Sequence, residues 1–171
     1  MLERTRTRTL TALTTGVILL AALTGCSTVA EFLGGETVER DEETNEVTGA
    51  GQADVFNLSI GDCFDDVDMA GGVSDVPAVP CSELHDNEIY FLYDMTQTEF
   101  PGAAETEALA EEGCIRQFDA FVGIDYEESV LDFGYLYPSA DTWRSFGDRE
   151  VVCIIYDPAS PVTGTLAGAA R

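Results

Sequence analysis

Five cysteines constrain the fold of this 171-residue chain more than any other feature of its sequence. Cys26 directly follows an apolar stretch near the N-terminus, and the other four are spread over the rest of the chain: Cys63, Cys81, Cys114 and Cys153. An even set of cysteines indicates disulfides in an exported chain, but metal binding or catalysis in a reducing compartment. The compartment therefore decides what these four residues do.

The first 25 residues predict export. Residues 1–9 are basic, and residues 10–23 form a mostly apolar run that is shorter than the ~20 residues of a transmembrane helix. The tetrapeptide Leu23-Thr24-Gly25-Cys26 resembles a lipobox, where bacterial lipoprotein precursors are lipidated on the cysteine and cleaved before it. We expect residues 1–25 to be a lipoprotein signal peptide and Cys26 to be the lipidation site. In the alternative interpretation, Cys26 is an ordinary residue within a longer anchor.

Lipidation would place the protein on the outer face of the cytoplasmic membrane, with its folded part facing the cell wall, because two or more acyl chains anchor a protein stably. In that oxidising environment the four remaining cysteines predict two disulfides, for which three pairings exist. We favour Cys63–Cys81, which closes a local loop, and Cys114–Cys153, which ties a predicted helix to a predicted strand. A zinc site using Cys81 and His85 is the alternative, and the lack of any CxxC pair disfavours it.

The charge of the chain excludes several classes of partner. Without the three arginines and one glutamate of residues 1–25, five arginines and 31 acidic residues remain, and the formal net charge is −26. Such a surface repels nucleic acids and anionic lipid headgroups, so we expect contact with the membrane only through the lipid anchor. Residues 26–53 are acidic and poor in bulky apolar groups, and we interpret them as the lipidated cysteine and a flexible tether.

Residues 54–171 are interpreted as an α+β domain, a mostly antiparallel sheet packed against one long helix and stapled by two disulfides. Residues 55–60 alternate in polarity and predict a strand that buries Phe56, Leu58 and Ile60. Two prolines make residues 76–81 an expected edge strand. Further predicted elements are strands at 89–93, 131–137 and 151–156, a short helix at 139–146 and a weak edge strand at 163–167.

The long helix is predicted over residues 103–122. Its apolar stripe comprises Ala104, Ala108, Ile115, Phe118 and Val122, with Cys114 and Phe121 on one flank. Glu111 falls within the stripe and Glu107 lies close to it, so we expect the first half of the helix to overhang the core and be solvated. Residues 151–156 do not alternate, which predicts a central strand covered on both faces, with Cys153 directed at the helix.

Short blocks distributed over residues 60–168 resemble the actinobacterial septum-formation domain family. The blocks are Gly61-Asp62-Cys63-Phe64, Val79-Pro80-Cys81-Ser82-Glu83 with His85, Glu88-Ile89-Tyr90, Glu111-Glu112-Gly113-Cys114, Tyr137-Pro138, Trp143, Gly147-Asp148-Arg149, Cys153 and Thr163-Gly164-Thr165-Leu166. Family members often have proline before the histidine, whereas this chain has Leu84. The resemblance implies an exported or membrane-attached envelope protein with a link to cell-division septa.

The candidate partner-binding residues are His85, Glu88, Trp143, Arg144, Asp148 and Arg149. His85, the only histidine, is interpreted as capping the turn after Cys81, since no serine or free cysteine stands in a nucleophile context. We expect the arginines to pair internally, for example with Asp62 or Glu88, and Trp143 to be a lid on the core.

These features favour a non-catalytic envelope lipoprotein that binds an envelope or division protein, with no cofactor, no metal and no catalytic residue. The alternative is a small-molecule or wall-fragment binding protein or enzyme that uses a cleft around His85, Trp143 and Arg149.

Overall fold

The computed structural model describes residues 38–68 and 72–171, so the expected signal peptide at 1–25 and the expected lipidation site Cys26 lie outside the described residues. Its strands are β1 (Glu39–Arg40), β2 (Val47–Gly49), β3 (Gly51–Asp54), β4 (Cys63–Phe64), β5 (Asp75–Val79), β6 (Asn87–Asp94), β7 (Asp132–Leu136) and β8 (Glu150–Tyr156). Two helices, α1 (Ala103–Val122) and α2 (Ala140–Ser145), and 3-10 turns at Val55–Asn57 and Tyr126–Glu128 complete the fold. Among these residues no helix combines the length and apolarity needed to cross a membrane.

Six strands form one sheet in the order β3-β5-β4-β6-β8-β7, and β1 and β2 form a separate hairpin. Every strand pairing among the described residues is antiparallel. The α+β fold with one long helix is therefore confirmed, as are the predicted strands at 89–93, 131–137 and 151–156 and the short helix.

The long helix α1 has the predicted bounds, but its buried row differs from the predicted stripe. The buried residues are four apart, at Thr106, Ala110, Cys114, Phe118 and Val122. Residues four apart follow a ridge that is inclined to the helix axis. The predicted stripe ran parallel to the axis, and it was wrong at Ala104 and Ala108, which are exposed. Glu107 and Glu111 are exposed, but Thr106 and Ala110 are fully buried, so the expectation that the first half of the helix overhangs the core was wrong.

Gly113 allows α1 to approach the sheet closely. The Tyr93 side chain, from β6, occupies the space that a Cβ at residue 113 would need, and its hydroxyl donates a hydrogen bond to the Leu109 carbonyl at 2.9 Å. Only glycine fits at this contact, which gives a packing reason for the Glu-Glu-Gly-Cys block.

Strand β8 lies between β6 and β7 and is covered on both faces. Val151, Cys153 and Ile155 belong to the core cluster under α1, whereas Val152 and Ile154 belong to a second cluster on the opposite face. The predicted central strand is confirmed, since burial on both faces removes the selection for alternating polarity.

The second cluster is covered by residues that we predicted to be a tether. Val47 of β2 and Ala53 of β3 are buried in it, and β3 pairs with β5 along its whole length. The domain boundary near Asp54 is therefore wrong, and the folded part includes residues 38–53. Backbone hydrogen bonds between β3 and β5 and the buried side chains of Val47 and Ala53 hold this segment in place. Its acidic composition had instead indicated a flexible tether.

The predicted strand at 55–60 is wrong. The Asp54 side chain accepts a hydrogen bond from the Phe56 N–H at 2.9 Å and starts a 3-10 turn in place of an extended run. In that turn Val55 and Leu58 are buried, whereas Phe56 and Ile60 are 57% and 55% exposed. The predicted burial was therefore correct for Leu58 and wrong for Phe56 and Ile60.

Two edge predictions are also wrong. Strand β5 lies between β3 and β4, and its Pro77 faces Asp65, just beyond the last residue of β4. Pro77 has no N–H to donate, but it faces a position where the pairing with β4 has ended. The proline therefore does not prevent β5 from lying inside the sheet. Residues 163–167 form no strand; Val162 instead makes an isolated bridge with His85.

Candidate functional site

The two disulfides have the predicted pairing. Cys63–Cys81 joins β4 to the turn after β5, with a Cα–Cα distance of 5.2 Å. Cys114–Cys153 joins α1 to β8 across the core, with a Cα–Cα distance of 5.4 Å. Both stabilise the framework on which any binding site is built.

His85 and Glu88 lie in the interior, each about 1% exposed, so neither is accessible to a partner. His85 Nδ1–H donates to the Glu83 carbonyl oxygen at 3.0 Å, and the Glu88 carboxylate accepts from the Thr165 hydroxyl at 2.5 Å and the Leu166 N–H at 2.6 Å. The two residues hold the C-terminal segment against β6. Their expected role in partner binding was wrong, because both are needed inside the fold.

His85 also belongs to a cluster with metal-ligand geometry. One ligand atom from each of Cys63, His85 and Glu88 lies within 4.8 Å of the others, and His85 Nε2 is buried without a hydrogen-bond partner. The sulfur of Cys63 is bonded to Cys81, however, so it has no thiolate to offer. Two remaining ligands are fewer than the three or four protein ligands of a zinc site.

Half-buried Arg149 stacks on the buried Trp143 at a small surface cavity that Arg144 also lines. The guanidinium carbon of Arg149 lies 3.6 Å from the Trp143 ring centroid, and its N–H groups donate to the carbonyls of Trp143, Asp148 and Thr98. Trp143 is buried, as a core lid would be. The expected internal arginine–carboxylate pair is confirmed at Asp62, whose partner is Arg40, whereas Glu88 holds Thr165 and Arg149 donates to carbonyl groups.

The cleft expected around His85, Trp143 and Arg149 does not form. His85 precedes β6, whereas the Arg149 carbonyl accepts from the Met95 N–H just after β6 ends. The eight residues of β6 separate these two positions by about 23 Å at strand rise. The alternative based on that cleft was therefore wrong.

The two remaining candidates, Arg144 and Asp148, lie on different sides of α2. Arg144 is exposed, with its guanidinium carbon 5.8 Å from the Phe100 ring centroid. Asp148 is half-buried and borders a cavity on the other side of the helix. The structure thus moves the candidate site from His85 to the neighbourhood of α2.

This cavity, named here the α2 pocket, has a volume of about 370 Å³. It lies between the Val55–Asn57 turn, the last residues of β7, the start of β8 and α2. Its lining residues are Val55, Phe56, Gly72, Val73, Tyr135, Leu136, Tyr137, Ser139, Thr142, Asp148, Glu150 and Val152. Most of the wall is apolar or aromatic, and two carboxylates stand at the end nearest β8.

The carboxylates of the α2 pocket crowd one another. Glu150 lies opposite Asp94 in the β6–β8 register, and the Glu150 N–H donates to Asp148 Oδ1 at 3.1 Å. Burial, together with the charges of Asp94 and Asp148, raises the pKa of the Glu150 carboxyl. A negative charge at Glu150 is therefore disfavoured unless a cation comes near.

The sequence contained part of the signal for this pocket. The alternation of β7 puts Tyr135 on the α1 face and Leu136 on the face of the pocket, but it does not reveal that this strand borders the same cavity as Phe56, more than 75 residues earlier in the chain. Only the turn at Val55–Asn57 brings Phe56 there.

Comparison with known proteins tests the family. A family model described as septum formation matches residues 24–153 of the 171. This chain belongs to the septum-formation family. The matched part of this septum-formation protein contains all five cysteines and Glu150, and the family connects it with septum formation and hence cell division. No curated protein and no solved structure matches the chain.

Proposed function

We propose that this septum-formation protein is a non-catalytic envelope lipoprotein, lipidated at Cys26, that binds a protein partner at the division site. The observation that carries the proposal is the α2 pocket with its exposed aromatic border. The pocket lies on the sheet face opposite α1, beside residues that are free to contact another protein.

Exposed aromatic residues occur in the segments that form the pocket. Phe56 is 57% exposed and lines it. Tyr137, just after β7, is 38% exposed, and Phe146, which directly follows α2, is 79% exposed. Aromatic residues are enriched in protein interfaces, and grouped exposed apolar residues mark interaction sites. Their grouping here supports a binding surface made by α2 and the Val55–Asn57 turn.

The chemistry of the described residues favours binding over catalysis. The chain has one histidine, which is buried and held by Glu83, and the cysteines of the domain are consumed in disulfides. A nucleophile with an adjacent base and an orienting group is what acyl or glycosyl transfer would need. The α2 pocket presents carboxylates, hydroxyls and aromatic rings without a histidine or free thiol.

The membrane anchor in this proposal is the lipid on Cys26. The lipobox-like tetrapeptide and the basic and apolar segments before it support lipidation. Two or more acyl chains would hold the domain at the outer face of the cytoplasmic membrane, where a septal partner could be reached.

The partner is tested by site-specific photo-crosslinking in dividing cells. A photo-reactive residue at Phe56, in the lipidated full-length chain, is expected to capture one reproducible envelope protein. The matched control is Val130, which is 61% exposed and lies before the opposite end of β7. Equal capture from both positions, or no reproducible product from Phe56, would overturn the proposed surface.

The anchor and location are tested with an epitope-tagged chain followed through division. We expect the tagged protein to concentrate at the constriction and Cys26→Ser to lose membrane attachment. An even distribution throughout the cycle would contradict the septal role, and unchanged attachment of Cys26→Ser would contradict lipidation.

A further inference from the structure

We infer that the α2 pocket receives a lysine side chain of the partner protein, with the apolar stem along Leu136 and Val152 and the ammonium between Asp148 and Glu150. The inference rests on the proposed function, since it assumes that this surface binds a protein. It assigns the chemistry that the partner must present.

The size and walls of the pocket fit one long side chain. A cavity of about 370 Å³ is near the small end of ligand sites, which span about 300–1,000 Å³. Its floor is formed by Leu136 and Val152, which belong to the core cluster on this face of the sheet. A lysine buries its aliphatic stem against such a surface while its charged end reaches a polar group.

The charges at the end of the pocket select a cation. Asp148 and Glu150 line the cavity, and Asp94 faces Glu150 from β6. Arg149, between the two acids in sequence, donates to the backbone carbonyls of Asp148, Trp143 and Thr98 and stacks on the Trp143 ring. Its guanidinium thus binds carbonyl groups, and an incoming ammonium would relieve the repulsion among the three carboxylates.

One aromatic side chain adds to the selection. Phe56 lines the pocket and is 57% exposed. Its ring can pack against the methylenes of lysine, and ring faces attract ammonium groups. With a formal net charge of −24, the chain also attracts basic segments from a distance.

The occupant comes from another protein. All eight basic residues of the chain are arginines, so a second copy has no lysine to insert. An acidic segment would be repelled by the same carboxylates. A free amine from the cell wall shares the ammonium chemistry, but it would leave the exposed ring of Phe56 uncovered, whereas residues flanking a lysine would cover it.

The test uses three probes and residues 27–171 with both disulfides formed. The probes are acetyl-Ala-Phe-Lys-Phe-Ala-amide, the same peptide with norleucine in place of lysine, and n-butylamine. Binding is followed by the amide NMR shifts of residues 135–152 in a titration to millimolar probe. We expect the lysine peptide to bind at least tenfold more tightly than the norleucine peptide, which keeps the stem and lacks the ammonium.

Two variants separate the pocket from general attraction by an acidic protein. Glu150→Gln is expected to remove most of the preference for lysine over norleucine. Glu127→Gln, at an exposed position in the Tyr126–Glu128 turn, removes one charge far from the pocket and should leave the preference unchanged.

Each contrary outcome overturns a defined statement. Equal affinity for the lysine and norleucine peptides, no binding at millimolar concentration, or an equal loss in both variants would exclude a lysine site in the α2 pocket. Binding of n-butylamine as tight as that of the peptide would exclude a protein side chain as the preferred occupant. If a photo-reactive residue at Phe56 still captured a partner in cells, only this inference would fail and the proposed function would stand.

Discussion

Arg40 and Asp62 form a two-point ion pair in which both guanidinium nitrogens lie 2.8 Å from the carboxylate oxygens. Asp62 is almost fully buried and also accepts a hydrogen bond from the Ser59 N–H at 2.9 Å. The pair joins the β1–β2 hairpin to the residue before the Cys63–Cys81 disulfide. Asp62, part of the Gly-Asp-Cys-Phe block, thus has its partner in the segment that the sequence presented as a tether.

Replacing Arg40 with glutamine should destabilise the fold by about 2 kcal/mol, because the buried Asp62 carboxylate loses both charged donors. Urea unfolding of the oxidised domain measures the change. Arg116→Gln is the matched control, since Arg116 forms an exposed pair with Glu112 that is worth well under about 1 kcal/mol. Equal losses of unfolding free energy in the two variants would show that the Arg40–Asp62 pair contributes no more to stability than the exposed Arg116–Glu112 pair.

A chain that begins at Asp54 should be less stable than one that begins at Ser27. The shorter chain lacks β1, β2 and β3, exposes the cluster that contains Val76 and Ile154, and leaves Asp62 without Arg40. Thermal unfolding of the two chains, both with oxidised cysteines, measures the difference. The same thermal unfolding midpoint for both chains would support a domain boundary near residue 54.

Loss of Cys114–Cys153 should cost more stability than loss of Cys63–Cys81. The sequence separations are 39 and 18 residues, for which chain entropy gives about 4 and about 3 kcal/mol. Cys114 and Cys153 are also fully buried, so replacing both with alanine leaves a cavity in the core under α1. Urea midpoints of the two double alanine variants test the order, and a reversed order would refute the prediction.

Arg149→Lys should destabilise the domain by about 1–2 kcal/mol and change the emission of Trp143, the only tryptophan of the chain. Lysine cannot reproduce the planar stack 3.6 Å from the indole centroid together with bonds to three carbonyl groups. Fluorescence and urea unfolding give the two measurements. Arg144→Lys, at the exposed contact with Phe100, is the control and should leave both nearly unchanged.

Glu150→Gln should stabilise the free protein at neutral pH. Burial and the charges of Asp94 and Asp148 raise the Glu150 pKa above its ordinary value of 4.5, so the folded state binds more protons than the unfolded state between the two pKa values. Stability is therefore lost as pH rises from the unfolded to the folded pKa, and it stays lower above both. The gain from Glu150→Gln should be absent below pH 4.5, present at pH 7, and seen in urea midpoints; a gain that grows on acidification would have the wrong sign.

Prediction from local sequence periodicity was correct where the residues that determine an element all lie within one segment. The bounds of α1 follow from the break at Pro101-Gly102 and the left-handed Gly123, and the centre of the sheet follows from the unbroken apolar run of β8. The disulfide pairing followed because the helix and strand around Cys114 and Cys153 were already recognised. In each case the residues that decide the structure are neighbours in sequence.

Prediction from local periodicity failed where residues distant in the sequence determine the structure. Residues 55–60 alternate like a strand, but the Asp54 side chain starts a turn that exposes Phe56. His85 and Glu88 carry the chemistry of a site, yet Val162, Thr165 and Leu166 come from the C-terminal end of the chain to cover and satisfy them. Polarity does not distinguish a solvated polar residue from one whose partner lies 77 residues away.

The sequence by itself determined the long helix, the central strand, the two disulfides and the family, because each depends on local spacing or on blocks of adjacent residues. Only the tertiary structure decided that residues 38–53 cover one face of the sheet and that Phe56, Tyr137 and Glu150 share a pocket. The physical reason is that burial and charge pairing depend on which side chains meet in space. Contacts such as Arg40–Asp62 arise only after the strands are assembled.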